Sequence, residues 1–496
     1  MTPDEVNSWL RVRRHAVPRS MIDAVTEARR QGDWRAACAA ANVDIEDVPD
    51  EFAEPGFAPD LVRWHLPRVL GGRDSLVPRL WIVLVTRPEG ELYLRTPSRV
   101  DGHQRLTLAF GTMEPERQQS VLDWTDSRHL WHADHADELR IRCGGGDRAP
   151  FFHRDGTPAE LPETDPGTDD PAAYTEWLVV LQRRGQAEAA FRAVGKELDQ
   201  TGIRRTWPWY TPRAAEDLAE RPLILTRLPR ERSSAQLAGS TGLLLDGPIA
   251  RVLPVNDLRR IPDANAYLLP DLELIRRGKL TPGELHPLVR ESLFPEWTGE
   301  IPEPQPLELS EVRVRCQGEW HVVAMRDGVL RTPHTEAEHR RERALKAFGG
   351  QISGCFEAQE RLRDGKRPHK ALRLQRDAMF TRMRHGDTAA VLALLDMGFD
   401  PFVRNGRKQT LLHVVHHVDF EQVLPRLLKA GLDLEARDHE GRTPLHVAVG
   451  DGGSAALVRA LIEAGARTDA TDDLRRTLGT LIHWNKRTDL PFIDVG

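Results

Sequence analysis

The sequence predicts an α+β chain: an N-terminal region that mixes helices with β-hairpins, then a helical connector, then a short C-terminal α-solenoid. Three observations lead there. The apolar, β-branched run Leu80 to Val85 faces the alternating run Glu91 to Thr96 across the turn Arg87-Pro88-Glu89-Gly90, the pattern of a β-hairpin. Alanine-rich helical segments lie on both sides of it. Near the C-terminus the chain repeats itself, with turn glycines Gly398 and Gly431 33 residues apart and Gly431 and Gly465 34 apart. Such periods belong to stacked repeats.

Taken in order, residues 1–156 read as the first α+β region. Asp4 is placed to cap Val6 to Val12, Pro18 and Ser20 open a helix to Arg30, and Gly32-Asp33 recaps an alanine-rich helix to Asn42. All of residues 4–45 are expected to be helical. After the hairpin, Leu106 to Phe110 is a further strand, and the alternation of Leu139, Ile141 and Cys143 with Arg140 and Arg142 predicts another. Residues 157–171, within a passage of Pro, Gly, Asp, Thr and Glu, form the linker.

Residues 172–330 read as a second α+β region. Helical patterns span Tyr174 to Arg184 and Ala187 to Leu198, and β-like pieces fall at Leu223 to Leu228, Leu243 to Leu245 and Val312 to Cys316. The region is a candidate copy of the first, because Glu138 to Gly145 lines up residue by residue with Glu311 to Gly318. Shared turn chemistry explains the likeness without duplication. Residues 331–376 form the basic helical connector, with Thr335 and Glu338 as a capping box and Gly349-Gly350 as a stop.

Residues 377–496 carry the repeats. The line Thr443-Pro444-Leu445-His446-Val447-Ala448 is echoed by Thr410-Leu411-Leu412-His413, 33 residues earlier. This segment resembles an ankyrin array, whose unit is about 33 residues with a TPLHxA line. Its units are Asp377 to Gln409, Thr410 to Arg442 and Thr443 to Arg476, followed by a truncated cap to Gly496. The resemblance implies that Thr and His at the start of each inner helix cap it and bond between neighbours. It further implies that hairpin tips and the concave face bind a protein partner. The candidate contact residues are Arg404, Asn405, Arg407, Lys408, His417, Asp438, His439, Glu440 and Arg442. Pro425 falls inside the second outer helix, where it removes a backbone bond.

Composition bounds the rest. At 496 residues the chain exceeds what one core serves, so several domains are expected. The net charge of −6 is too small for the whole molecule to be an electrostatic partner of nucleic acid or of an acidic membrane. Cys38, Cys143, Cys316 and Cys355 are too scattered for a CxxC pair or a disulfide framework, so buried thiols in a reducing compartment are expected. The acidic start, Met1 to Glu5, precedes no apolar run, and the longest apolar runs are far shorter than a membrane span. The expected setting is cytoplasmic. The preference for Arg over Lys amid Ala, Gly and Pro resembles a high-GC bacterial proteome.

No pattern for catalysis stands out, and neither a metal nor a cofactor is expected. His413 and His417 share a helix face but lack the glutamate of HExxH. His129, His132 and His135, with Asp134 and Asp137, offer imidazoles and carboxylates, yet at no spacing typical of zinc. Gly144 to Gly146 and Gly239 to Gly242 lack the residues of a phosphate loop. Trp207 to Tyr210 beside Arg204 and Arg205, and the basic run Arg361 to Lys370, are the segments that nucleic acid would use. The leading expectation is a protein that binds a protein partner through its repeats. An enzyme sited in residues 60–330, or nucleic-acid binding through the connector, are the alternatives.

Overall fold

The computed structural model describes residues 1–70, 74–113, 120–199, 214–227, 233–236, 241–246, 249–254, 266–303, 309, 311–363 and 369–493. The chain forms two compact units, Met1–Val100 with Arg105–Pro304, and Asp101–Gln104 with Gln305–Gly496.

The first unit opens on the helix Pro3–Arg11. Its start is fixed by reciprocal bonds: the Glu5 amide donates to Thr2 Oγ1 and the Thr2 amide to the Glu5 carboxylate. Helices Arg19–Arg30 and Trp34–Ala40 follow, the latter capped by Asp33. Here the helical expectation fails. Residues Val43–Glu46 are a strand, β1, in which Val43 and Ile45 alternate with Asp44 and Glu46. That alternation suits an edge, and β1 pairs in parallel with β4 (Leu106–Gly111).

The hairpin forms as expected from β2 (Leu80–Arg87) and β3 (Gly90–Arg95), with a bulge between Val83 and Val85. With β5 (Ser120–Asp123) the sheet order is β1-β4-β3-β2-β5. Leu80 to Leu84 are all buried, which is why this strand reads as one continuous apolar run. A second sheet, β6-β9-β8-β7, joins Glu197–Asp199, Ile249–Pro254, Thr241–Asp246 and Ser233–Gln236. Leu223 makes only an isolated bridge, to Tyr267, before a 3-10 turn at Leu225–Arg227, so no strand forms at that described start of Leu223 to Leu228. Between Phe152 and Pro171 the chain carries no helix or strand, only the bridge Phe152 to Pro158.

The expected strand at Leu139 is instead the short helix Leu139–Arg142. Its partner in the candidate duplication, Val312–Cys316, is a strand, so the two aligned segments are not structural copies. Chain context decides. After Cys316 a tight turn with Gln317 and Gly318 at positive φ delivers a partner strand. After Cys143, the Arg140 guanidinium instead donates to the carbonyls of Gly146 and Ser292, tying the segment down as a turn.

The core of this unit also buries charge. Arg13 meets Asp271 fork to fork at 2.7 and 2.8 Å, donates to the Trp64 carbonyl at 2.8 Å, and lies over the Trp64 ring. Asp60 and His286 pair at 3.0 Å, both almost wholly buried. Such groups are tolerable inside only because each has a partner.

The second unit begins with a three-stranded antiparallel sheet, β10 (Val312–Cys316), β11 (Glu319–Arg326) and β12 (Val329–Arg331). The helix Glu336–Ala347 starts at the expected Thr335/Glu338 capping box, and Gly354–Arg363 follows it. The next helix, Lys370–His385, is continuous through the expected boundary at Asp377. Its Leu372 belongs to the core of the small sheet, and its Met379, Phe380 and Met383 belong to the core of the repeats. Helices Thr388–Asp396, Phe420–Lys429 and Ala455–Glu463 are the outer layer of the array. The inner layer continues with a 3-10 helix at Leu411–His417 and the helix Pro444–Gly450. Pro425 lies inside its helix and cannot donate to the carbonyl of Glu421. Leu478 and Leu481 of the last helix, Leu478–Trp484, close the stack, while Trp484 stays exposed.

Candidate interaction surface

The two inner segments at Thr410 and Thr443 start from the same cap. The Thr410 amide donates to His413 Nδ1 at 3.1 Å, and His413 Nε2 reaches the carbonyl of Arg442, the residue just before the next unit, at 3.0 Å. Nδ1 is therefore an acceptor and Nε2 a donor, which requires the neutral ring. Burial pushes the His413 pKa down to about 4. Thr443 and His446 repeat the cap, with the Thr443 amide 3.4 Å from His446 Nδ1. The histidine thus takes the place of the usual glutamate in a capping box.

The hairpin tips are equally ordered. Asn405 Oδ1 accepts from the amides of Arg407 and Gln409, at 2.9 and 3.0 Å. Asp438, one period later, accepts from the amides of Glu440 and Arg442, both at 2.9 Å. Asp472 does the same for Leu474 and Arg476, at 3.0 and 2.8 Å. Burial opposes ionisation of Asp438, yet the amide bonds and the Arg442 guanidinium hold its carboxyl below the usual range. Adjacent tips are then laced together. Arg404 Nη1 donates to the carbonyls of Lys408 and Arg437, and Arg437 Nη1 to those of Gly441 and Thr471. The His439 amide donates to the Arg407 carbonyl at 2.9 Å, and the Asp473 amide to the Glu440 carbonyl at 3.0 Å.

This geometry sorts the nine candidate contact residues. Arg404, Asn405, Asp438 and Arg442 build and link the turns, although the Arg404 side chain remains exposed. His417 is buried and so presents little surface to a partner. Its ring lies 4.0 Å from that of His416, and all of Leu411–His417 is buried, as is all of Pro444–Gly450. Arg407, Lys408 and His439 project into solvent, and Glu440 does so in part. Arg407 also pairs with Asp101, at 3.2 Å, from the short segment Asp101–Gln104 of the same unit. The third tip, Asp472 to Arg476, lies one period further on and exposes Asp473, Leu474 and Arg475.

Of the other motifs, His132 and His135 pack edge to face, His135 pairs with Glu138 at 3.0 Å, and His129 is buried. They form no ligand set among the described residues. Gly144 to Gly146 make a turn, in which the Gly144 carbonyl accepts from Thr175 Oγ1. Residues 204–210, Gly239, Ser240 and the basic residues 364–368 lie outside the described residues, and Thr241 and Gly242 begin β8. One set of ligating side chains does converge, and sequence reading missed it: Cys316, His321, His334 and Cys355, with donor atoms all within 4.8 Å of one another.

Residues 379–472 match the family profile "Ankyrin repeats (3 copies)". The chain is 41% identical over 64 residues to the "ADP-ribosylation factor GTPase-activating protein AGD4" of Arabidopsis thaliana, which covers 13% of this chain and 8% of that protein. It is 44% identical over 61 residues to "Protein fem-1 homolog A" of Rattus norvegicus, 12% of this chain and 9% of that one. With "NF-kappa-B inhibitor alpha" of Gallus gallus it shares 45% over 49 residues, 10% of this chain and 15% of that one. The chain therefore spans a small part of each relative. Among the described residues no helix is long and apolar enough to cross a membrane.

Proposed function

We propose that the ankyrin array makes this chain an interaction protein, which docks an acidic segment of a protein partner in a cytoplasmic setting. Arg407, Lys408, His439 and Arg475 are the contacting side chains in this reading. What supports it most is the division of labour within each tip. One set of residues fixes the turn through hydrogen bonds to its backbone amides, so its neighbours are presented on a rigid frame and little ordering entropy is lost on binding. Lys408 and Arg475 sit at corresponding positions, both with positive φ, where the middle tip has Gly441. Cationic side chains on such a frame favour carboxylates and speed encounter. Two of the matched proteins are named for acting on other proteins, which agrees with this reading.

The test is a pull-down from cell extract with the full chain and with the triple variant Arg407→Glu, Lys408→Glu, Arg475→Glu. Loss of specific captured proteins from the variant, with an unchanged melting temperature, is the expected result. An identical set from both would overturn the tips as the docking surface.

A further inference from the structure

Independently of the array's partner, we infer that Cys316, His321, His334 and Cys355 form a tetrahedral zinc site that holds together the small sheet in front of the repeats. The four come from four different places. Cys316 ends β10, His321 is on β11, His334 lies in the loop before Glu336–Ala347, and Cys355 is in the first turn of Gly354–Arg363. Cys316 and Cys355 are buried, and the His334 and His321 side chains are only 8% and 22% exposed.

The distances are those of a coordination polyhedron. Zinc binds thiolate sulfur at about 2.3 Å and imidazole nitrogen at about 2.0–2.1 Å. A tetrahedron with those radii has S···N edges of about 3.5 Å and an N···N edge of about 3.3 Å. Here Cys316 Sγ lies 3.4 Å from His334 Nε2, Cys355 Sγ 3.6 Å from His321 Nδ1, and the two ring nitrogens 3.1 Å apart. A hydrogen-bonded chain accounts for them less well. His334 Nε2 is approached by both Cys316 Sγ and His321 Nδ1, yet a ring nitrogen has one in-plane hydrogen or one lone pair to offer. A cation at the centre serves all four donors.

The outer nitrogens support the same assignment. His334 Nδ1 faces the Glu338 carboxylate at 4.0 Å, and His321 Nε2 faces Glu319 at 3.9 Å. Zinc-bound histidines commonly turn their second nitrogen towards a carboxylate, which fixes the tautomer. The backbone is shaped for the meeting of the two cysteines. Gly354 has φ +64°, and a Cβ there would lie 2.7 Å from Cys316 Cα, Cβ and Sγ.

The module's own apolar core is small, with nine buried side chains. Its helix Glu336–Ala347 has no buried residue, and a groove of about 340 Å³ opens beside it, lined by Leu330, His339, Ile352, Phe356 and Leu362 among others. Small cores of this kind usually need a staple. With four protein ligands the site is closed, which marks a structural rather than a catalytic ion.

The experiment is metal analysis of the full chain purified without chelator, followed by cobalt substitution. About one zinc per chain is expected, and the cobalt form should show the visible bands of tetrahedral coordination with sulfur-to-cobalt charge transfer. Cys316→Ser and His334→Ala should lose the metal, whereas Cys38→Ser and Cys143→Ser should keep it. The cobalt spectrum of the unaltered chain decides the matter even if a variant fails to fold. Absence of zinc with no cobalt spectrum, a Cys316–Cys355 disulfide in the metal-free chain, or equal zinc in the unaltered chain and the Cys316→Ser/Cys355→Ser double variant would each overturn the site.

Discussion

In the ankyrin array every repeat extends its neighbour's core, and among the described residues 26 buried apolar side chains run without a break from Met379 to Ile493. In the sheet-and-helix module before it, nine such side chains make up the whole cluster, and two of them are the cysteines of the proposed site. The array can therefore spread its stability over many similar contacts, as stacked repeats do. The module has to concentrate it at one point. The difference suggests where each region fails: the array by degrees, and the module all at once when its point of attachment goes.

The sharpest way to break that contrast is to remove the metal. Stripping zinc with a strong chelator should raise amide hydrogen exchange across residues 312–363 by at least ~10²-fold, while residues 411–463 remain slow. Equal loosening of both regions would mean that the module has no separate staple. Acid should reach the array as well. The pKa values of His413 and His416 are both pushed down by burial to about 4, against about 6.5 in the unfolded chain. The unfolded state then binds more protons between those values, so the array holds its full stability above pH 6.5. It loses stability as pH falls towards 4, by an amount on the order of several kcal/mol. Exchange of residues 411–463 measured at stepped pH would reveal it, and a flat response would refute it. The Asp438 and Asp472 carboxyls, held below their usual range, make their own loss only at still lower pH.

Single substitutions give finer contrasts. Leu461→Ala, at a wholly buried position of the array, should cost about 2–5 kcal/mol in urea unfolding and leave the zinc content unchanged. Gly354→Ala should cost about 1–3 kcal/mol for its left-handed backbone alone, and in addition weaken zinc retention by pushing Cys316 away. Lys408→Glu sits at the small end. It should move stability by no more than about 0.5 kcal/mol and show itself only in lost partner capture.

How far the sequence revealed these regions follows from the same contrast. The repeats were legible because their information is periodic: Thr410 and Thr443, Gly398 and Gly431, Asn405 and Asp438 each recur 33 residues apart. The β2–β3 hairpin and the Thr335 capping box were legible because each is settled by a few adjacent residues. The four donors of the module recur at intervals of 5, 13 and 21 residues, from a strand end, a strand, a loop and a helix start. No local pattern links them, and only the fold brings them together. Leu139–Arg142 misled for the opposite reason. Its alternation is that of a strand, but among the described residues no partner strand pairs with it, and bonds from Arg140 settle it as a turn of helix. His417 was expected on an open face because repeat position alone does not tell what packs over that face.

The helix Lys370–His385 belongs to both regions, with Leu372 seated in one core and Met379 in the other. Sixteen residues of helix make a rod about 24 Å long, without a Gly or Pro inside it to serve as a joint. A load applied at the hairpin tips would then travel along this rod into the small sheet, where a slack tether would have let it dissipate. The module in front of the repeats would act as their anchorage, and its strength would set how hard the array can be pulled.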